Sequence, residues 1–176
     1  MFKIFVPGGE FYDESINEFI EVKPQSLQLE HSLLSISRWE SKWNRSFLDN
    51  GPKTEEEKLS YIQDMTITKD VNPFVYKILS DKQRKQIEAY CKLPMTATTI
   101  TRRNPTKSKK QIITSELIYY WMISFGIPFE CEKWHINRLL MLIEVCSIKN
   151  NSKKETPQEA AARTKALNAQ RRARKR

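Results

Sequence analysis

Residues 113–148 constrain the fold most, because they spell two helices in succession with the punctuation between them. Leu117, Ile118, Trp121, Met122 and Phe125 recur at helical spacing and form one apolar stripe. Thr114 or Ser115 caps that helix. Gly126 suits the left-handed residue after its end, and Pro128 follows at the expected distance. The spacing predicts a second helix from about Glu132 to Ile148, with Ile136, Leu139, Leu140 and Ile143 on its buried face.

Further helices stand upstream. From Ser35 a helical period sets in, with Ile36, Trp39 and Trp43 on one face. Ser37 and Glu40 have capping-box spacing, and the run Asp49, Asn50, Gly51, Pro52 closes the segment. Thr54 with Glu57 forms a cleaner capping box. It opens a helix with Leu59, Ile62 and Met65 inward and acids in the first turn, where the macrodipole favours them. Pro73 starts a short helix through Leu79. Ser80 or Asp81 caps another that runs to about Lys92 and stops at Pro94. Residues 94–111 are polar and basic and read as an exposed loop.

The amino-terminal end is different. Residues 2–6 and 18–22 read as strands, with a turn signal at Pro7, Gly8 and Gly9 and a stop at Pro24. The two strands are expected to pair, and residues 25–29 could add a third. A lone hairpin is marginal in water, so it must pack on the helices. The fold class expected is mainly α with a small N-terminal β-hairpin (α+β). Residues 1–24 form the hairpin, 25–148 the helical body and 149–176 a basic linker and C-terminal helix.

That last segment holds most of the net charge. Residues 149–176 carry ten Lys/Arg against Glu155 and Glu159, while the body before them is almost neutral. Thr156, Pro157 and Glu159 are three helix-start signals together. The helix expected over 160–173 has little apolar surface beyond Ala and Leu167.

Little in the sequence suggests catalysis. Phosphate-loop, dinucleotide, nucleophile-elbow, metalloprotease and calcium-loop patterns are absent, and four glycines in all leave little for a Gly-rich loop. The acidic pairs, such as Asp13/Glu14, sit in turn or helix-start contexts. Cys131 and His135 would share a helix face, but Cys146 lies three turns on and His31 is the only other histidine. A structural zinc site needs four ligands in close pairs. The expectation is no enzyme, no metal and no cofactor. Three cysteines without C-x-x-C spacing read as reduced thiols. With no signal-peptide pattern and no apolar run of membrane length, no membrane association is expected, and the reading is cytoplasmic.

Two features remain for binding. Arg171, Arg172, Arg174, Lys175 and Arg176 could neutralise phosphates in salt-sensitive, sequence-blind contacts, but no interleaved aromatics are there to stack on bases. Trp39, Trp43, Tyr119, Tyr120, Trp121 and Trp134 are many aromatics for a small helical body. Most are expected in the core. Tyr119 and Tyr120 fall beside the apolar stripe, so that helix is either central or meets a partner.

Residues 27–48, 53–66, 113–150 and 166–176, about half the chain, resemble the tail assembly chaperones of long-tailed bacteriophages of Gram-positive hosts. The resemblance implies a non-catalytic protein of the host cell cytoplasm. It would bind the tape measure protein, a very long helical chain, keep it soluble, recruit tail tube protein and leave before the virion is complete. It also implies that a longer product is often made by ribosomal frameshifting. An aromatic surface at Tyr119, Tyr120, Trp121 and Trp134, with electrostatic help from the Arg-rich tail, would suit that role. Self-association is compatible with it. Two rival readings are a structural tail or head–tail connector protein of the virion, and a basic nucleic-acid-binding accessory protein.

Overall fold

The computed structural model describes residues 1–14, 16–49, 51–100, 112–152, 161–162, 164–166 and 168. Contacts divide the chain into two units, Met1–Met141 and Leu142–Arg176. The architecture is α+β. Strands β1 (Phe2–Val6), β2 (Gly9–Asp13), β3 (Glu18–Val22) and β4 (Gln25–Leu29) precede helices α1 (Leu33–Trp43), α2 (Glu55–Met65), α3 (Asp81–Lys92), α4 (Ser115–Phe125) and α5 (Ile136–Ser152). Single 3-10 turns occupy Pro73–Tyr76 and Phe129–Lys133. No helix among the described residues is long and apolar enough to cross a membrane.

The strands form one long ribbon. β1 pairs antiparallel with β4, Phe2 opposite Leu29 and Val6 opposite Gln25. β2 pairs with β3 in the same running register, Gly9 opposite Val22 and Asp13 opposite Glu18. This corrects the expected partnership of residues 2–6 with 18–22. The interruption falls where Pro7 faces Pro24, two residues with no N–H to give a ladder. The face that is buried changes there. Before the break Ile4, Val6, Leu27 and Leu29 are buried, residues that share one face of the pairing. Beyond it the face of Gly9 and Val22 turns inward, so the ribbon twists sharply at its waist.

Gly8 permits this. A Cβ there would stand 2.5 Å from the Val22 carbonyl oxygen and 2.8 Å from the Pro24 ring. Gly8→Ala should therefore destabilise the chain by about 1–2 kcal/mol through overpacking, measured by denaturant unfolding.

The inner half of the ribbon is tied to the helices. Phe2 stacks on Tyr90 of α3 at 5.2 Å. Residues just after α2 line up along β4: the Ile67 amide donates to the Gln28 carbonyl (2.9 Å), and the Gln28 amide donates to Thr68 Oγ1 (2.8 Å). Leu27, Leu29, Leu33, Ile36, Trp39, Met65, Ile118, Met122, Ile136 and Leu139 are fully or almost fully buried and make the core of the first unit.

Several helix boundaries follow the expected chemistry. Thr54 and Glu57 make the full capping box of α2, and Ser80 with Gln83 makes that of α3. Gly126 closes α4 at φ 64°. Three expectations are corrected. α1 begins at Leu33 under a Ser32 cap, so Ser37 lies inside it, and it ends at Asn44 in the left-handed conformation. The last helix of the body starts at Ile136, because residues 129–133 take a 3-10 turn. Cys131 sits in that turn and His135 in a β-bridge with Ser32, so they do not share a helix face. In the second unit, residues 161–162, 164–166 and 168 are helical. The rest of the helix expected over 160–173 lies outside the described residues.

Candidate functional site

α4 carries a single charge, Glu116, in eleven residues. Its buried line is Ser115, Ile118 and Met122, with α1 packed against the helix. Leu117, Trp121 and Phe125 are only half-buried. The opposite side is in solvent, and there Tyr120 is 62% exposed and Ile123 65% exposed. They are neighbours at i and i+3 on that side. Phe129, in the following turn, is also largely exposed, and its ring lies 6.3 Å from that of Tyr119. A patch of large apolar side chains on a helix with one charge, at its first turn, is a surface that favours a partner over water.

The other predicted residues are placed differently. The Tyr119 hydroxyl donates to Glu132 Oε2 (2.9 Å), and its phenol is held above its ordinary pKa by burial first and by Glu132 second. Trp134 is half-buried, with the Arg138 guanidinium 4.1 Å above its ring. Of Tyr119, Tyr120, Trp121 and Trp134, only Tyr120 is openly displayed. Arg171, Arg172, Arg174, Lys175 and Arg176 lie outside the described residues.

The orientation of α4 is set by a remote carboxylate. Thr114, its cap residue, makes no side-chain cap bond. Glu40 of α1 supplies one instead: Oε2 accepts from the Ser115 amide (2.7 Å), and Oε1 accepts from the Phe47 amide (2.8 Å). Ser46 adds a bond from Oγ to the Ile113 carbonyl (2.6 Å). A buried carboxylate at a helix start satisfies orphan donors and complements the dipole.

A second feature lies between α2 and α3, a cleft of about 490 Å³. Phe47, Leu59, Ile62 and Ile87 give it an apolar interior, and His31, Tyr61 and Cys91 also line it. Around its mouth stand Lys53, Lys58, Arg84, Lys85 and Lys92 against Glu55, Asp81 and Glu88, an excess of cations. Lys58 and Arg84 pair with Glu55, and Lys92 with Glu88, in exposed contacts of small energetic worth. The Lys53 ammonium sits 4.7 Å above the Phe47 ring, its pKa lowered by burial first and Arg45 next.

His31, Tyr61 and Cys91, inside the cleft, are held neutral. Burial, helped by His135, drives the His31 imidazole down to about 3. Its Nδ1 shares a 2.5 Å hydrogen bond with the Tyr61 hydroxyl, itself pushed well above its usual range by burial. Burial lifts the Cys91 thiol to about 12, so it is not a thiolate at neutral pH. His135 stands edge-on to His31 at 4.9 Å. Its Nε2 donates to the Tyr90 carbonyl (3.2 Å), and its Nδ1 accepts from the Asn137 amide (3.3 Å). Both ring nitrogens are thus used in the neutral form, and burial lowers the pKa of this imidazole too. Among the described residues, no three His, Cys, Asp or Glu side chains are grouped to hold a metal ion.

No family model matches this chain, and neither a curated protein nor a solved structure is significantly similar to it.

Proposed function

We propose that this protein is a non-catalytic assembly chaperone of phage tail morphogenesis, holding a tape measure protein soluble and recruiting tail tube subunits. The observation that carries the reading is the exposed side of α4, where Tyr120 and Ile123 stand in solvent and Glu116, at the helix start, is the one charge. A long helical chain presents apolar stripes before its tube covers them. Such stripes aggregate, and an apolar helix side is the surface that shields them. The sequence resemblance supplies the biological setting. Cys91 and His31, the reactive side-chain types in the cleft, are tuned by burial away from nucleophilic and acid–base work near pH 7.

The test is co-expression with a tail tape measure protein. The double substitution Tyr120→Asp, Ile123→Asp replaces exposed side chains and should leave the melting temperature nearly unchanged. It should lower the soluble yield of the tape measure protein about ten-fold, the effect of losing one aromatic anchor. An unchanged soluble yield would remove α4 from the mechanism.

A further inference from the structure

The outer half of the ribbon is an acidic finger with aromatic rings. Residues 9–22 contain Glu10, Asp13, Glu14, Glu18 and Glu21 and no Lys or Arg. One side of the finger packs inward, with Phe11 stacked on Phe74 at 5.9 Å and Lys77 over both rings. The other side displays the directly opposed pairs Glu10/Glu21 and Tyr12/Phe19 in neighbouring rows. The two rings of the second pair lie 5.0 Å apart, and Phe19 is 71% exposed. Ile16 at the tip is exposed as well.

Within one copy the Tyr12/Phe19 ring pair and the bond from the Tyr12 hydroxyl to Asn17 Oδ1 account for only part of this side. Like charges directly opposite each other destabilise a ribbon, and a displayed Phe gains nothing in water. Both become favourable against a surface that is apolar at its centre and cationic around its edge. The cleft between α2 and α3 has that character: Leu59, Ile62, Ile87 and Phe47 inside, and an excess of Lys and Arg at the mouth. No residue of the finger lines the cleft of its own chain, and the contacts with Phe74 and Lys77 fix the finger elsewhere.

We propose that the finger of one copy docks in the α2–α3 cleft of a second copy. Phe19 and Tyr12 enter the apolar interior, and Glu10 and Glu21 meet Lys85 and Lys92 at the mouth. The two surfaces are different, so each copy can both give and receive. The proposal does not depend on the chaperone reading, because it concerns other residues and another partner.

The test is sedimentation velocity of the full chain over about 1–300 µM, the range where a small interface of this kind associates. The wild type should self-associate, and more weakly as salt rises. The finger variant Glu10→Lys, Glu21→Lys and the cleft variant Lys85→Glu, Lys92→Glu should each be monomeric alone, with circular dichroism confirming the fold. Mixed together they should associate again, since the reversed finger now meets the reversed cleft. A monomeric wild type throughout the range overturns the proposal. So does an association that survives either variant, or a mixture that stays monomeric. Association abolished by deleting residues 163–176 but untouched by the cleft variant would assign the finger to the basic tail, and would equally overturn it.

Discussion

Acidification from pH 7.5 to pH 5 should remove about 2 kcal/mol of folding stability through His31 alone, and to pH 4 about 3 kcal/mol. The sign follows from the direction of the shift. The folded imidazole titrates at about 3 and the unfolded one at the model value of 6.5. Between those values the unfolded chain binds a proton that the folded chain refuses, so stability is full above pH 6.5 and falls as pH drops toward 3. The structural reason is a closed environment. Tyr61, Phe47 and His135 surround the ring, and Tyr61 is locked in its neutral form. Denaturant unfolding at a series of pH values reads the slope. His31→Gln should be less stable at pH 7.5 yet lose much less between pH 7.5 and pH 5. An equal slope in that variant would place the proton linkage elsewhere.

Glu40→Ala should cost about 3 kcal/mol, because it strips a charged acceptor from two sheltered amides at once. The amides belong to Ser115, at the start of α4, and Phe47, in the loop that packs over Tyr61. No cap bond from Thr114 takes over. The damage should therefore be local as well as global. Amide exchange should quicken in the first turn of α4, while the first turn of α2, which has its own capping box, stays protected. Glu40→Gln keeps one acceptor oxygen and should lose about half as much. A loss below about 0.5 kcal/mol for Glu40→Ala, the usual size of a surface effect, would mean that α4 is not held this way.

These two residues also show where the sequence was readable. Local chemistry was clear: the Thr54 and Glu57 box, the Ser80 cap and the left-handed Gly126 need only their own neighbours, and each stands where the spacing put it. Glu40 read as a partner for Ser37 three residues before it. Its real partners lie seven and 75 residues further along the chain, and no periodicity carries that information. The ribbon failed for a related reason. Residues 2–6 and 18–22 have strand character, but pairing between strands is non-local, and the Pro7/Pro24 opposition is visible only once the register is known. α4 was predicted as a helix without difficulty. Its apolar residues surround it, however, so which aromatics face water is set by the packing of α1 and by the Glu40 cap. His31 gave no signal at all, since burial by Tyr61 and Phe47 is a property of the assembled helices.

The chaperone reading is tested most directly at Tyr120. A photo-crosslinking amino acid placed there, in cells assembling the tail, should capture the tape measure protein in an apolar helical segment, and the adduct should be absent from finished particles. Cross-links only to tail tube or virion proteins, persisting in purified particles, would contradict the account and make the chain a structural component of the tail.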